Sequence, residues 1–264
     1  MDVGLYDKET AMTQRYLDVD ERSERLSELI AQSPRGSAEF NEVYDISWIY
    51  HENGLEGVVL GYAEIRSAVD NRIISDVSLL PTYQAIKNQK ACIDDMRVKA
   101  ANKRFVVTIP FLNELHTRLV GDPSEAAVYR RDIPIHRTYF HEIAQPSKIE
   151  AGLTVVLNYL KARHGTELHP LEFAANVHHR FMRVFPFSDH SGFIGRLLTN
   201  FILVRAGYVP AVIHAADRQR YYEALRGSER DFRLFIVEAM ENSLENALRF
   251  LSGHTQEAPR EMRA

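Results

Sequence analysis

Apolar side chains recur at helical spacing along most of the chain. Ile194, Leu197, Leu198, Phe201 and Ile202 fall at i, i+3, i+4, i+7 and i+8, the stripe of a helix that faces a core. Phe193, Arg196 and Asn200 lie on a neighbouring stripe, and Gly207 stands where that helix should stop. Upstream, Leu171, Ala174, Ala175, His178, Phe181 and Met182 repeat the pattern. Phe185-Pro186 ends it, because the residue before a proline avoids the helical region. The same reading predicts helices over 1–33, from Phe40 to Gly54 or Gly57, and over 61–70, 82–103, 148–164, 169–184, 193–206, 217–226 and 230–252. IPFLNELHTRLVGD after Thr108 reads as a further helix with Gly121 as its stop. VYRRDIPIHRTYFHEI, residues 128–143, is β-branched, aromatic and partly alternating, and carries Pro134. That profile predicts an edge hairpin. The fold is therefore expected to be mainly α with one small β-hairpin. SPRGS at 33–37 marks a break, dividing an N-terminal helical extension (1–39) from a main domain (40–252), with a disordered tail at 253–264.

Charge and composition narrow the function. Residues 1–40 hold nine acidic and five basic side chains, and from 41 onward the two signs balance at 27 each. A nucleic-acid surface would show as a basic excess, so none is expected beyond the local pairs at Arg130 and Arg131 and in DRQR at 217–220. The single cysteine, Cys92, rules out an intrachain disulfide and a Cys-based zinc site. No apolar run reaches the ~20 residues of a membrane span, and the N-terminus lacks the order of a signal peptide. A cytoplasmic protein is expected. ELHP at 167–170 and HEIAQ at 141–145 lack the spacing of a zinc protease, and no G-x-S-x-G pattern supports a serine nucleophile.

The chemistry concentrates in FPFSDHSGFIGR, residues 185–196. A polar loop precedes a core-facing helix, and a helix N-terminus with its free N–H groups favours anions. Asp189 is placed to hold Mg²⁺ beside a phosphate. Arg196 can meet a terminal phosphate or pair with a carboxylate. The plainer alternative is a structural turn with Asp189 as helix cap.

These residues resemble the Fic (Fido) family, whose signature is H-P-F-x-D/E-G-N-G-R-x-x-R followed by an apolar helix and a G-x-x-P turn. LHTRL at 115–119, YRRDIPI at 129–135, RYYEAL at 220–225 and DFRLF at 231–235 also resemble segments of that family, so the likeness covers roughly 40–250. The resemblance implies a Fic/Fido helical bundle with a hairpin flap that docks a target protein, here through Arg130, Ile133 and Ile135. It also implies AMP transfer from ATP to a protein hydroxyl, with Mg²⁺ and ATP as the cofactors to expect. The match is incomplete. Phe185 stands in place of the catalytic His, His190 of a Gly, Ser191 of the Asn and Phe193 of an Arg, whereas Asp189, Gly192 and Arg196 are retained. Phenylalanine accepts no proton, and loss of a general base costs about 10²–10⁴-fold. ENGLEG at 52–57 resembles the family's inhibitory helix, S/T-x-x-x-E-G/N, within a stretch near 40–57. Glu56 and Gly57 are in place and Glu52 occupies the Ser/Thr position, which implies a Glu56–Arg196 pair.

Two functions follow. One is a binding or regulatory module that keeps a partial anion site and docks a protein partner or protein substrate on the flap. The other is an enzyme of altered chemistry in the same pocket, with His190 as substitute base. The helix at 1–33 also suggests a homo-oligomer through contact with a second copy.

Overall fold

Proline stands in the first turn of four helices, where its missing N–H costs nothing. Ser33, Thr108 and His169 cap three of these starts by accepting from Gly36 N, Phe111 N and Leu171 N. The computed structural model describes residues 3–72, 76–122, 128–134, 141–162 and 167–261. Its helices are α1 (Val3–Gln32), α2 (Pro34–Leu55), α3 (Tyr62–Val69), α4 (Leu80–Ala101), α5 (Ile109–Val120), α6 (Ile149–Lys161), α7 (Pro170–Val184), α8 (Ser191–Ala206), α9 (Arg218–Arg226) and α10 (Glu229–Glu261). Gly121 and Gly207 end α5 and α8 in the left-handed region, at φ 75° and 102°.

Helix α8 is the axis of the bundle. Its residues from Ser191 to Leu203 are buried, so the neighbouring stripe with Phe193, Arg196 and Asn200 also faces protein. Helix α7 packs along it, with α4 on another side, and α10 packs on α7. A helix break falls in SPRGS: α1 ends at Gln32 and α2 begins at Pro34. Helix α1 lies on α10 and α2. Arg15 reaches Glu241 in a fork at 2.8 and 2.6 Å, Tyr16 stacks on His169 at 4.0 Å, and Asp20 accepts from Tyr208. Met12, Val19 and Leu26 are buried against the rest of the chain. Helix α10 continues to Glu261, past the boundary at 252.

Of the expected hairpin, only residues 128–134 and 141–143 lie within the described residues. Among the described residues there is no strand. Residues 128–134 are irregular, and 135–140, which include Ile135, lie outside the described residues. No helix among the described residues is long and apolar enough to cross a membrane.

After α8 the chain runs without regular secondary structure through 210–214, with its backbone held by side chains of three helices. Asn200 donates to Ala211 O at 3.3 Å and accepts from Ala211 N at 2.8 Å. Ser243 accepts from Val212 N, His51 accepts from Ala215 N, and Tyr44 donates to Pro210 O.

Candidate functional site

The loop between α7 and α8 is pinned from within. Phe185 ends α7 in the left-handed region at φ 45°, donating its N–H to Phe181 O at 2.9 Å. His190, at φ 60°, begins α8 in the same region. Left-handed backbone is uncommon for residues with a Cβ and costs ~1–2 kcal/mol, so the glycine expected at 190 by family resemblance has a conformational reason. Ser191 Oγ accepts from Phe187 N and donates to Phe187 O, both at 2.9 Å. Its hydroxyl is therefore committed to the loop and is not turned out toward a phosphate. Asp189 is exposed and does not cap α8, which removes the plainer reading of that residue. Phe185, Phe187 and Phe193 are buried, with Phe187 stacked on His116 at 4.0 Å.

Arg130 secures the other side of the loop. The sequence places it on an edge hairpin that docks a target protein, but it is buried at 2 % exposure. Its guanidinium donates to Phe185 O at 2.7 Å, to Val184 O at 3.1 Å and to Ala144 O, and its backbone N–H donates to Pro186 O at 3.0 Å. The last carbonyls of α7 have no helical partner, and a planar cation supplies several donors at once. Arg130 is thus a cap for α7. Ile133 is half-buried and packs against the core. Arg131 is exposed.

One turn into α8, Arg196 is 2 % exposed and meets two carboxylates of α2. Its Nε and Nη2 lie 2.6 Å from Glu52 Oε2, and Nη2 donates to Glu56 Oε1 at 2.9 Å. The pair implied by the family resemblance, Glu56 with Arg196, forms. Glu52 is the deeper partner, with its side chain 4 % exposed against 24 % for Glu56. Trp48 Nε1 donates to Glu52 Oε1 at 3.0 Å. Glu56 follows the last residue of α2, and Gly57 turns the chain away at φ 86°. Gly192 lies beneath this contact, and a Cβ there would collide with Glu56 Oε1.

Behind Arg196, its Nη1 reaches Tyr221 Oη at 3.4 Å. Tyr221 Oη lies 3.0 Å from His178 Nε2, and His178 Nδ1 lies 2.8 Å from Thr199 Oγ1. Burial drives the His178 pKa well below the ordinary value, and the charge of Arg196 adds to this. His178 is therefore a neutral core residue, as its helical spacing indicated. Burial also raises the Glu52 pKa, opposed by Arg196. Arg196 is held well above its ordinary value: burial alone would lower it, but Glu52, Tyr221 and Glu56 outweigh that.

Outside the clamp lies an open groove of about 460 Å³, lined by His116, Tyr129, Arg130, Asp132, Ser188 and Asp189 among others. His190 stands near its edge, with its ring 6.3 Å from that of His116. Burial lowers the pKa of His190, against Asp189 and Glu56. Burial also lowers His116 to about 4, with His190 adding and Asp189 opposing. Among the described residues no group of three His, Cys, Asp or Glu side chains could hold a metal ion. Asp189 alone offers Mg²⁺ one carboxylate, which suits Mg²⁺ only when phosphates complete its shell. The donors for those phosphates, Ser191 and Arg196, are already engaged.

Residues 106–203 match the Fic/DOC family model. A protein adenylyltransferase Fic of Culex quinquefasciatus is 29% identical over 239 residues, 88% of this chain and 47% of that protein. The chain spans about half the length of the curated relatives it matches. A Fic domain containing signaling protein from Bacteroides thetaiotaomicron superposes with a TM-score of 0.79 at 25% identity, covering 90% of this chain and 98% of that one. The Fic-1 protein of C. elegans superposes at 0.76 and 20% identity, over 94% and 74% of the two chains.

Proposed function

We propose that this chain, a Fic-domain protein whose residues 106–203 match the Fic/DOC family, is a cytoplasmic binding or regulatory module that does not transfer AMP by its family's route. The observation that carries this reading is the clamp on Arg196 by Glu52 and Glu56, beside a loop whose first position is Phe185. A polyphosphate needs free cationic donors and a hydroxyl nucleophile needs a base. Here the guanidinium of Arg196 is already paired, and Phe185 occupies the position of the family's base. The groove beside Asp132, Ser188 and Asp189 is the surface we assign to a protein partner; nucleic acid is not the expected ligand, because the chain carries no basic excess.

A second reading rests on His190. Its imidazole is held toward the neutral form at the rim of the groove, as a general base near neutral pH must be. It would serve an enzyme of altered chemistry on a ligand other than ATP.

Calorimetry with ATP·Mg²⁺ and incorporation of labelled AMP into a protein mixture separate the two from conventional transfer. The module reading expects neither binding nor incorporation by the wild type. Incorporation that is lost on Asp189→Ala would overturn it. Turnover of any ligand that is lost on His190→Ala, with the fold intact, would favour the enzyme.

A further inference from the structure

Glu56 and Glu52 stand four residues apart on α2, so both carboxylates project to the same side, one turn above the other. They hold Arg196 unequally. Glu56 is the C-cap of the helix, a quarter exposed, and binds through Nη2 alone. Glu52 is a full turn inside, is almost fully buried, binds both Nε and Nη2, and is itself fixed by Trp48. The C-terminus of α2 is tied down separately, since Arg218 donates to Leu55 O at 2.7 Å. Swinging Glu56 outward, or losing the turn that carries it, leaves the contacts of Glu52 intact.

We infer that Glu52 is an inner lock on Arg196, which keeps the guanidinium closed to a terminal phosphate even after Glu56 has gone. This rests on the reading that the 185–196 loop is a former anion pocket. It differs from the outer contact in kind. A carboxylate at an exposed helix end can be displaced by a stronger anion. A buried carboxylate that already neutralises the cation must be left unpaired in a poorly solvated place before a phosphate can replace it, and that penalty is severe. The serine or threonine implied at position 52 by family resemblance carries no charge and would impose no such penalty. Glu52 is a positioning residue for Arg196, not a group that touches a reacting atom.

The test reads Arg196 directly. The Nε–H signal of Arg196 is followed by NMR in the full chain while inorganic tripolyphosphate is added to the wild type, Glu56→Ala and Glu52→Gln/Glu56→Ala. Glutamine keeps the shape and the contact with Trp48 while removing the charge. The inference expects no response in the wild type or in Glu56→Ala, and a saturable shift in the double variant. A shift in Glu56→Ala alone would overturn it, as would a folded double variant that stays silent. Should the double variant not fold, Glu56→Ala decides by itself: silence supports the inner lock and a response removes it. AMP incorporation measured on the same samples bears on the module reading, while the Arg196 signal reports on Glu52 separately.

Discussion

Gly192 lies directly beneath the carboxylate of Glu56, in a space that a single methyl group would fill. A Cβ there would collide with Glu56 Oε1 and lie 3.0 Å from Arg196 Nη1, so Gly192→Ala should expel Glu56 from Arg196. In the wild type the substitution destabilises. In a Glu56→Ala background the cost falls, because only the Arg196 guanidinium still crowds the added methyl group. A urea double-mutant cycle measures this, with an expected coupling of about 1–3 kcal/mol. Simple additivity would mean that Glu56 does not occupy the space above Gly192.

Arg130 satisfies carbonyls from two segments that would otherwise be buried without partners. An unsatisfied buried acceptor costs about 1–3 kcal/mol, so Arg130→Ala is expected to lose about 3 kcal/mol in denaturant unfolding. Arg130→Lys should recover less than half, since an ammonium cannot span several carbonyls as a planar fork does. Full stability in Arg130→Ala would return this residue to the hairpin edge that its sequence context suggested.

Burial lowers the folded pKa of His116 to about 4, below the ordinary 6.5. Between these values the unfolded chain binds the proton that the folded chain refuses. Stability therefore rises with pH from about 4 to 6.5 and levels off above. His51, lowered to about 4 mainly by burial, acts in the same window. His116→Gln should make the slope of melting temperature against pH shallower over that window and leave the plateau above 7 flat. An unchanged slope would exclude His116 as a contributor.

Phe185→His restores the imidazole that family resemblance places at the head of the motif. AMP incorporation is nonetheless expected to stay at background, because Phe193 still fills the position of a phosphate-binding arginine and Arg196 stays paired with Glu52. A radiolabelled AMP assay checks this. Transfer by the single variant would show that one lost base accounts for the inactivity.

The helical frame was legible because its signals are local. The 3.6-residue stripe of α8, the proline after Phe185 and the glycines at 121 and 207 each act on their own few residues. The Glu56–Arg196 pair was legible only through resemblance to a family, since 140 residues separate its members. Glu52 shows the limit of that route: a family pattern with an uncharged residue at this position gave no reason to expect a second carboxylate. The signal that could have found it was the i, i+4 spacing of two glutamates on one helix face. Arg130 was misread for the opposite reason. Its β-branched, aromatic surroundings point to an edge, and only the tertiary fold delivers the α7 carbonyls that draw it inward. The commitment of Ser191 to Phe187 follows from the tightness of the loop, which residue types alone do not encode.

The irregular run through 210–214 has no neighbouring strand among the described residues, yet its amides are held by Asn200 of α8 and Ser243 of α10, and the N–H of Ala215 just beyond by His51 of α2. Each amide is released only when a different helix lets go. Hydrogen exchange at Ala211, Val212 and Ala215 is thus a three-channel gauge of cooperativity. A common rate would mean that α2, α8 and α10 open as one unit, and a spread of rates would rank the order in which the bundle comes apart.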